Sequence, residues 1–131
     1  MLRSTLAILG GIAVILIASF AIEAAVTPLL IRGFPHALPD ELAMSQNVPV
    51  LVFTFAYTFL CVVAGGYVTA AVARRLPERH ALILGLIQSA LTIPAMIAYR
   101  GKSPLWGWIV SMIAVIPAAW IGGLIYARRR K

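Results

Sequence analysis

One carboxylate stands inside an otherwise uncharged apolar run. Glu23 lies in the stretch 5–31, and an ionisable side chain in hydrocarbon costs roughly 2.5 to 3.5 kcal/mol at the centre of a spanning helix. Such a residue is retained for a hydrogen bond, an ion pair or a titration. Ser19, Glu23 and Thr27 recur at i, i+4 and i+8, which on a helix makes one polar stripe, expected to face the interior of a bundle. Glu23 follows Thr5 by 18 residues, about 27 Å of helix, and so falls in the outer third of a span rather than at its midplane. Thr54, Tyr57, Thr92 and Ser111 stand at comparable depth in later apolar runs. Arg100 sits just beyond them, with a stem long enough to reach down. The group suits either a structural, hydrogen-bonded glutamate or a site that takes up a proton or substrate. Gln88 is a second intramembrane polar residue, nearer the other face, and is expected to bond to a neighbouring helix.

The remaining reactive residue types are scattered. His36 and Asp40 have the i, i+4 spacing of a metal pair, but Pro35 and Pro39 interrupt the helix it would need, and a pair falls short of a tetrahedral ligand set. Cys61 is the only cysteine, so no intramolecular disulfide can form. The four acids are scattered over three segments, with only Asp40 and Glu41 adjacent, and no Ser/His/Asp pattern is evident. The expectation is a chain without catalytic residues, metal or cofactor, in which His80 beside Arg79 makes a headgroup contact.

The elements that must position these residues follow from composition. Of 131 residues, 62% are apolar and 11% charged, with a mean hydropathy of +0.97, against roughly half and a quarter in soluble domains. That excludes an ordinary soluble globule. Four runs, 5–31, 48–73, 81–99 and 105–127, are each long enough at 1.5 Å per residue to cross the hydrocarbon core. The first has the flavour of a signal peptide, with Arg3 ahead of it, but it is too long for a signal core and reads as a retained helix. The prediction is a single all-α transmembrane domain over 1–131, an integral membrane four-helix bundle running up-down-up-down.

The net charge of +7 would suggest nucleic acid in a soluble chain. Here the basic residues lie at the edges of apolar runs, which argues against a nucleic-acid partner and for the bilayer. Arg3, the turn residues Arg74, Arg75 and Arg79, and the tail 128–131 fall on one side, whereas only Arg32, Arg100 and Lys102 fall on the other. Both termini are therefore expected to be cytoplasmic. Phe34, Phe53, Phe55, Tyr99, Trp106 and Trp108 gather toward the opposite interface, as amphipathic rings do.

Helices in lipid pack through small residues that let backbones approach. Gly65, Gly66 and Ala70 in the second run, and Ala114, Ala118, Gly122 and Gly123 in the fourth, are the candidates for such contacts. Most of this surface is expected to be used within the chain, with a homodimer face or a docking face for another subunit as the alternative. Pro28, Pro94 and Pro117 predict static bends. LAILGGI (6–12) resembles ALILGLI (81–87), and AGGYVTAAVARR (64–75) resembles IGGLIYARRR (121–130), as a helical hairpin duplicated about an axis along the membrane normal would.

The segments AGGYVTAAVARRLPERHALILGLI and PAAWIGGLIYARRR resemble uncharacterised small bacterial four-helix inner-membrane proteins with a GGY-type motif in the second helix and a GG motif near the C-terminus. The resemblance implies a multi-pass protein of the bacterial inner (plasma) membrane and no particular activity. Two functions then compete: an accessory or scaffolding subunit of a larger membrane complex, or a small dimeric proton-coupled transporter or channel using Glu23. Small multidrug-resistance transporters are similar in size and helix count, but here the acid lies late in the first helix and their aromatic-rich substrate pattern is missing.

Overall fold

A computed structural model describes residues 1–131, apart from the side chain of Glu41. The order of elements is α1 (Leu2–Gly33), α2 (Glu41–Gln46), α3 (Val48–Ala73), α4 (Pro77–Ala98) and α5 (Leu105–Arg129). The four long helices are each long and apolar enough to cross a membrane. They are apolar almost all round, and lipid requires that backbone groups be paired within the segment, which a helix does unaided.

The helix starts are written locally. The Asp40 side chain accepts from the Ala43 N–H at 2.8 Å and caps α2, and Asn47 caps α3 by accepting from Val50 at 3.3 Å. Proline at the first turn opens α3 and α4, where its missing N–H costs nothing. This extends α4 back through residues 77–80, read above as a turn. Arg74 and Leu76 adopt left-handed backbone, with φ of 57° and 46°, a conformation costing roughly 1 to 2 kcal/mol per non-glycine residue. Groups remote in sequence or one turn on hold it. Arg130 Nη1 donates to the Arg74 carbonyl at 2.8 Å, and His80 Nδ1 lies 3.1 Å from the Leu76 carbonyl.

Long-range hydrogen bonds fix the succession of directions. His80 Nε2 meets Ser4 Oγ at 3.0 Å, and with the Arg130–Arg74 bond this brings the N-terminal head, the α3–α4 turn and the C-terminus to one end. Ser45 Oγ donates to the Lys102 carbonyl at 2.6 Å, joining α2 to the α4–α5 turn at the other. Neighbouring long helices thus run antiparallel.

In cross-section α3 packs along both α1 and α5, and α4 packs along α5 and, more lightly, α3. α1 touches α4 only slightly and is not packed on α5. A duplicated hairpin with exact twofold symmetry would pair α1 with α5 as α4 pairs with α3. The two hairpins are alike internally, but α1 stands off from its symmetric position.

Ile15, Val62, Leu84, Val115, Ala118 and Ala119 form the buried centre, with Ile8, Ile12, Phe59 and Val63 against it. Glycines bring the backbones together. A methyl group at Gly66 would overlap the Ala119 carbonyl, one at Gly122 the Val63 carbonyl and the Tyr67 amide, and one at Gly123 the Ala81 side chain. Gly65, Ala70 and Ala118 are likewise buried, while Ala114 is half-buried. Cys61 is 4% exposed within this interior. Its thiol should therefore resist maleimide in the folded, detergent-solubilised protein and react fully on denaturation; equal labelling in both states would show the α3 packing to be wrong.

Candidate functional site

The structure corrects the expected position of Glu23. Its side chain is exposed rather than inside the bundle. α1 contributes Ala7, Gly11 and Ile15 to the interior, all from its first half. From Leu16 to Gly33 no α1 residue is buried. The cause is length and stance: 32 residues make about 48 Å of helix, longer than any partner, and α1 packs chiefly on α3. Ser19 and Thr27 are half-buried and Glu23 exposed, so the polar stripe runs along the rim of the α1–α3 contact.

Depth along the helices agrees across this seam. Glu23 lies ten residues before the end of α1, and Tyr57 nine residues after the start of α3, each about 14 to 15 Å from the same end. The Glu23 carboxylate is within electrostatic range of the Tyr57 hydroxyl, which lies beside Thr54. The structure thus brings Glu23, Tyr57 and Thr54 to one surface. It does not bring the other candidates there. Ser111 belongs to α5, on which α1 does not pack, and the Thr92 hydroxyl is occupied by the Gln88 carbonyl at 3.0 Å. Arg100, exposed just past the end of α4, makes no hydrogen bond to Glu23. Among the described residues the carboxylate has no hydrogen-bond partner.

Gln88 departs from expectation in the opposite sense. Its Oε1 is buried without a partner, as is Oγ1 of Thr69, and an unsatisfied buried acceptor costs about 1 to 3 kcal/mol. Ser89, its neighbour, is satisfied by the Met112 carbonyl at 3.2 Å. Gln88→Met, of similar length and without the carbonyl, should raise stability by about 1 kcal/mol, read as a higher thermal midpoint in detergent. A lower midpoint would mean that the amide has a partner and carries structure.

Two small cavities lie elsewhere in the bundle. One, about 30 Å³ between α3 and α5, is lined by Phe55, Thr58, Phe59, Ser111, Ala114 and Val115 and has room for one water-sized group. The other, about 250 Å³, lies among Gln46, Val48, Gly101, Ser103, Pro104 and Trp106, below the usual range of small-molecule pockets. No cluster of three metal-ligating side chains occurs among the described residues.

Sequence reading missed the contact between Ser4 and His80. The Leu76 carbonyl, which can only accept, faces His80 Nδ1, and Nε2 is hydrogen-bonded to the Ser4 hydroxyl at 3.0 Å. Serine, histidine and an orienting acceptor are the first parts of an activated nucleophile, but neither cavity reaches them. The pair clasps the start of α1 to the start of α4. Separated by 76 residues, it leaves no signal in the sequence. No protein-family model, curated protein or solved structure matches this chain.

Proposed function

We propose that the chain is a multi-pass protein of the bacterial inner membrane with both termini cytoplasmic, and that it serves as an accessory or scaffolding subunit, without a catalytic site of its own, docking through the second half of α1 onto another membrane protein. One observation carries the reading: Glu23, the acid set farthest from any helix end, is exposed, lacks a hydrogen-bond partner among the described residues, and sits on the one long stretch of helix from which nothing is buried. A carboxylate left facing acyl chains is costly, and intramembrane ionisable groups usually pair with a partner. The fitting partner is a spanning helix that presents a basic or hydroxyl side chain at the level of Tyr57.

The transporter reading remains as the second, supported by the closeness of Glu23 to Tyr57 at the seam. It requires two copies facing each other and a carboxylate that changes protonation during turnover. Against it stands the position of the acid, in the outer third of α1 rather than at its middle, where transporters place their sites.

Orientation is tested by reporter fusions. A periplasm-only reporter should be silent after Lys131 and active when inserted between Pro35 and Pro39. Activity at the C-terminus would reverse the assignment. Subunit and transporter are separated by mild-detergent purification together with flux assays: a stoichiometric complex with a larger membrane protein and no proton-coupled flux is expected. A lone dimer that carries flux in liposomes would sink the subunit reading.

A further inference from the structure

Folding gathers eight cations at the end that carries the two termini. Arg3, Arg74, Arg75, Arg79, Arg128, Arg129, Arg130 and Lys131 are all exposed, and Glu78 is the only acidic side chain among these segments. Like charges at this density repel unless anions neutralise them, and no ion pair does so among the described residues.

The seam between the α3–α4 turn and the end of α5 is the most organised part of this surface. Arg130, just past α5, turns onto α3 and donates Nη1 to the Arg74 carbonyl at 2.8 Å, so one arginine is anchored on the backbone of another. The turn beneath them is held in a costly shape, left-handed at both Arg74 and Leu76, and the bonds from Arg130 and His80 keep it there. Strain held in place by remote contacts is a mark of functional sites. The result is that Arg130 sits on the backbone of Arg74, whose chain neighbour is Arg75, with guanidinium N–H groups left over that suit phosphate oxygens in bidentate geometry.

We propose that this seam, Arg74, Arg75 and Arg130, binds the phosphate of an anionic phospholipid headgroup. The choice of lipid over a soluble polyanion rests on the membrane reading given above. The seam stands at the ends of four helices long enough to span, the level at which headgroups lie, where each basic residue adds about fivefold to anionic-lipid affinity.

The test uses the full chain purified in a neutral maltoside detergent, with the thermal midpoint followed as phosphatidylglycerol, phosphatidylcholine, inorganic phosphate or a single-stranded oligonucleotide is added. Phosphatidylglycerol should raise the midpoint saturably, and the other three should not. The double variant Arg74→Gln/Arg130→Gln should need about 25-fold more phosphatidylglycerol for half the effect. Arg100→Gln/Lys102→Gln, at the opposite end, should respond as the unaltered chain does. If the first double variant does not fold, Arg75→Gln alone should still weaken the response about fivefold. An equal response to phosphatidylcholine, a response to phosphate alone, tighter binding of the oligonucleotide, or an unchanged response in the variants would overturn the proposal. Extraction of the native protein by alkaline carbonate would instead defeat the membrane reading. A carbonate-resistant protein indifferent to phosphatidylglycerol defeats only the headgroup site.

Discussion

Gly122→Ala is expected to destabilise the folded chain by about 3 kcal/mol, the largest effect of any single methyl group. The added carbon would overlap the Val63 carbonyl and crowd the Tyr67 amide, both backbone atoms of α3. Backbone cannot swing aside as a side chain can, so α5 would have to move off α3. In lipid the lost contact is not recovered by hydrophobic drive, because acyl chains are as apolar as the helix surfaces. Gly10→Ala is the internal control, since nothing lies within 4 Å of a methyl group there. It should change stability by less than about 1 kcal/mol, in the favourable direction if helix propensity is felt. Thermal midpoints of both variants in one detergent decide the matter. Equal midpoints would mean that α3 and α5 are not in backbone contact.

Glu23→Lys should weaken assembly with a partner subunit by about 30-fold or more, because it sets a cation where the partner is matched to an anion, and unpairing a desolvated charge typically costs 2 to 5 kcal/mol. Glu23→Gln should cost less than about tenfold, since the amide keeps the length and one acceptor while intramembrane hydrogen bonds contribute only about 0.6 to 1.7 kcal/mol. Neither variant should unfold the isolated chain, as the side chain is exposed and supports nothing within it. Affinity of the reassembled complex and thermal midpoints of the free subunit are the two readouts. Two variants equal in affinity would remove Glu23 from the interface. Loss of proton-coupled flux in Glu23→Gln, with assembly intact, would favour the transporter.

Four helices long and apolar enough to span a membrane were legible in the sequence because long uncharged apolar runs permit so few alternatives. The third and fifth elements start at Val48 and Leu105, where hydropathy and the preceding Asn47 and Pro104 place them. Gly65, Gly66, Gly122 and Gly123 were legible as contact residues for a related reason: only residues of that size admit a neighbouring backbone. The stripe of Ser19, Glu23 and Thr27 was legible as a stripe, but not in its direction. Helical periodicity says which residues share a face, and which way that face turns depends on how α1 sits against α3, α4 and α5. A polar stripe is expected to face the bundle interior, because polar groups are shielded there, but its middle residue, Glu23, is exposed. The clasp of Ser4 by His80 and the hold of Arg130 on the Arg74 carbonyl join residues 76 and 56 apart, and local pattern carries nothing about such pairs.

The most direct test of the docking surface is photo-crosslinking in native membranes from a photoreactive residue at position 20. Phe20 is exposed and lies one helical turn from Glu23. The same probe at Ile113, exposed on α5, serves as the comparison. The account predicts that the probe at position 20 captures one discrete membrane protein other than this chain, that Glu23→Lys abolishes the product, and that the probe at 113 yields lipid adducts alone. Lipid adducts alone from both positions, or capture only of a second copy of this chain, would contradict it.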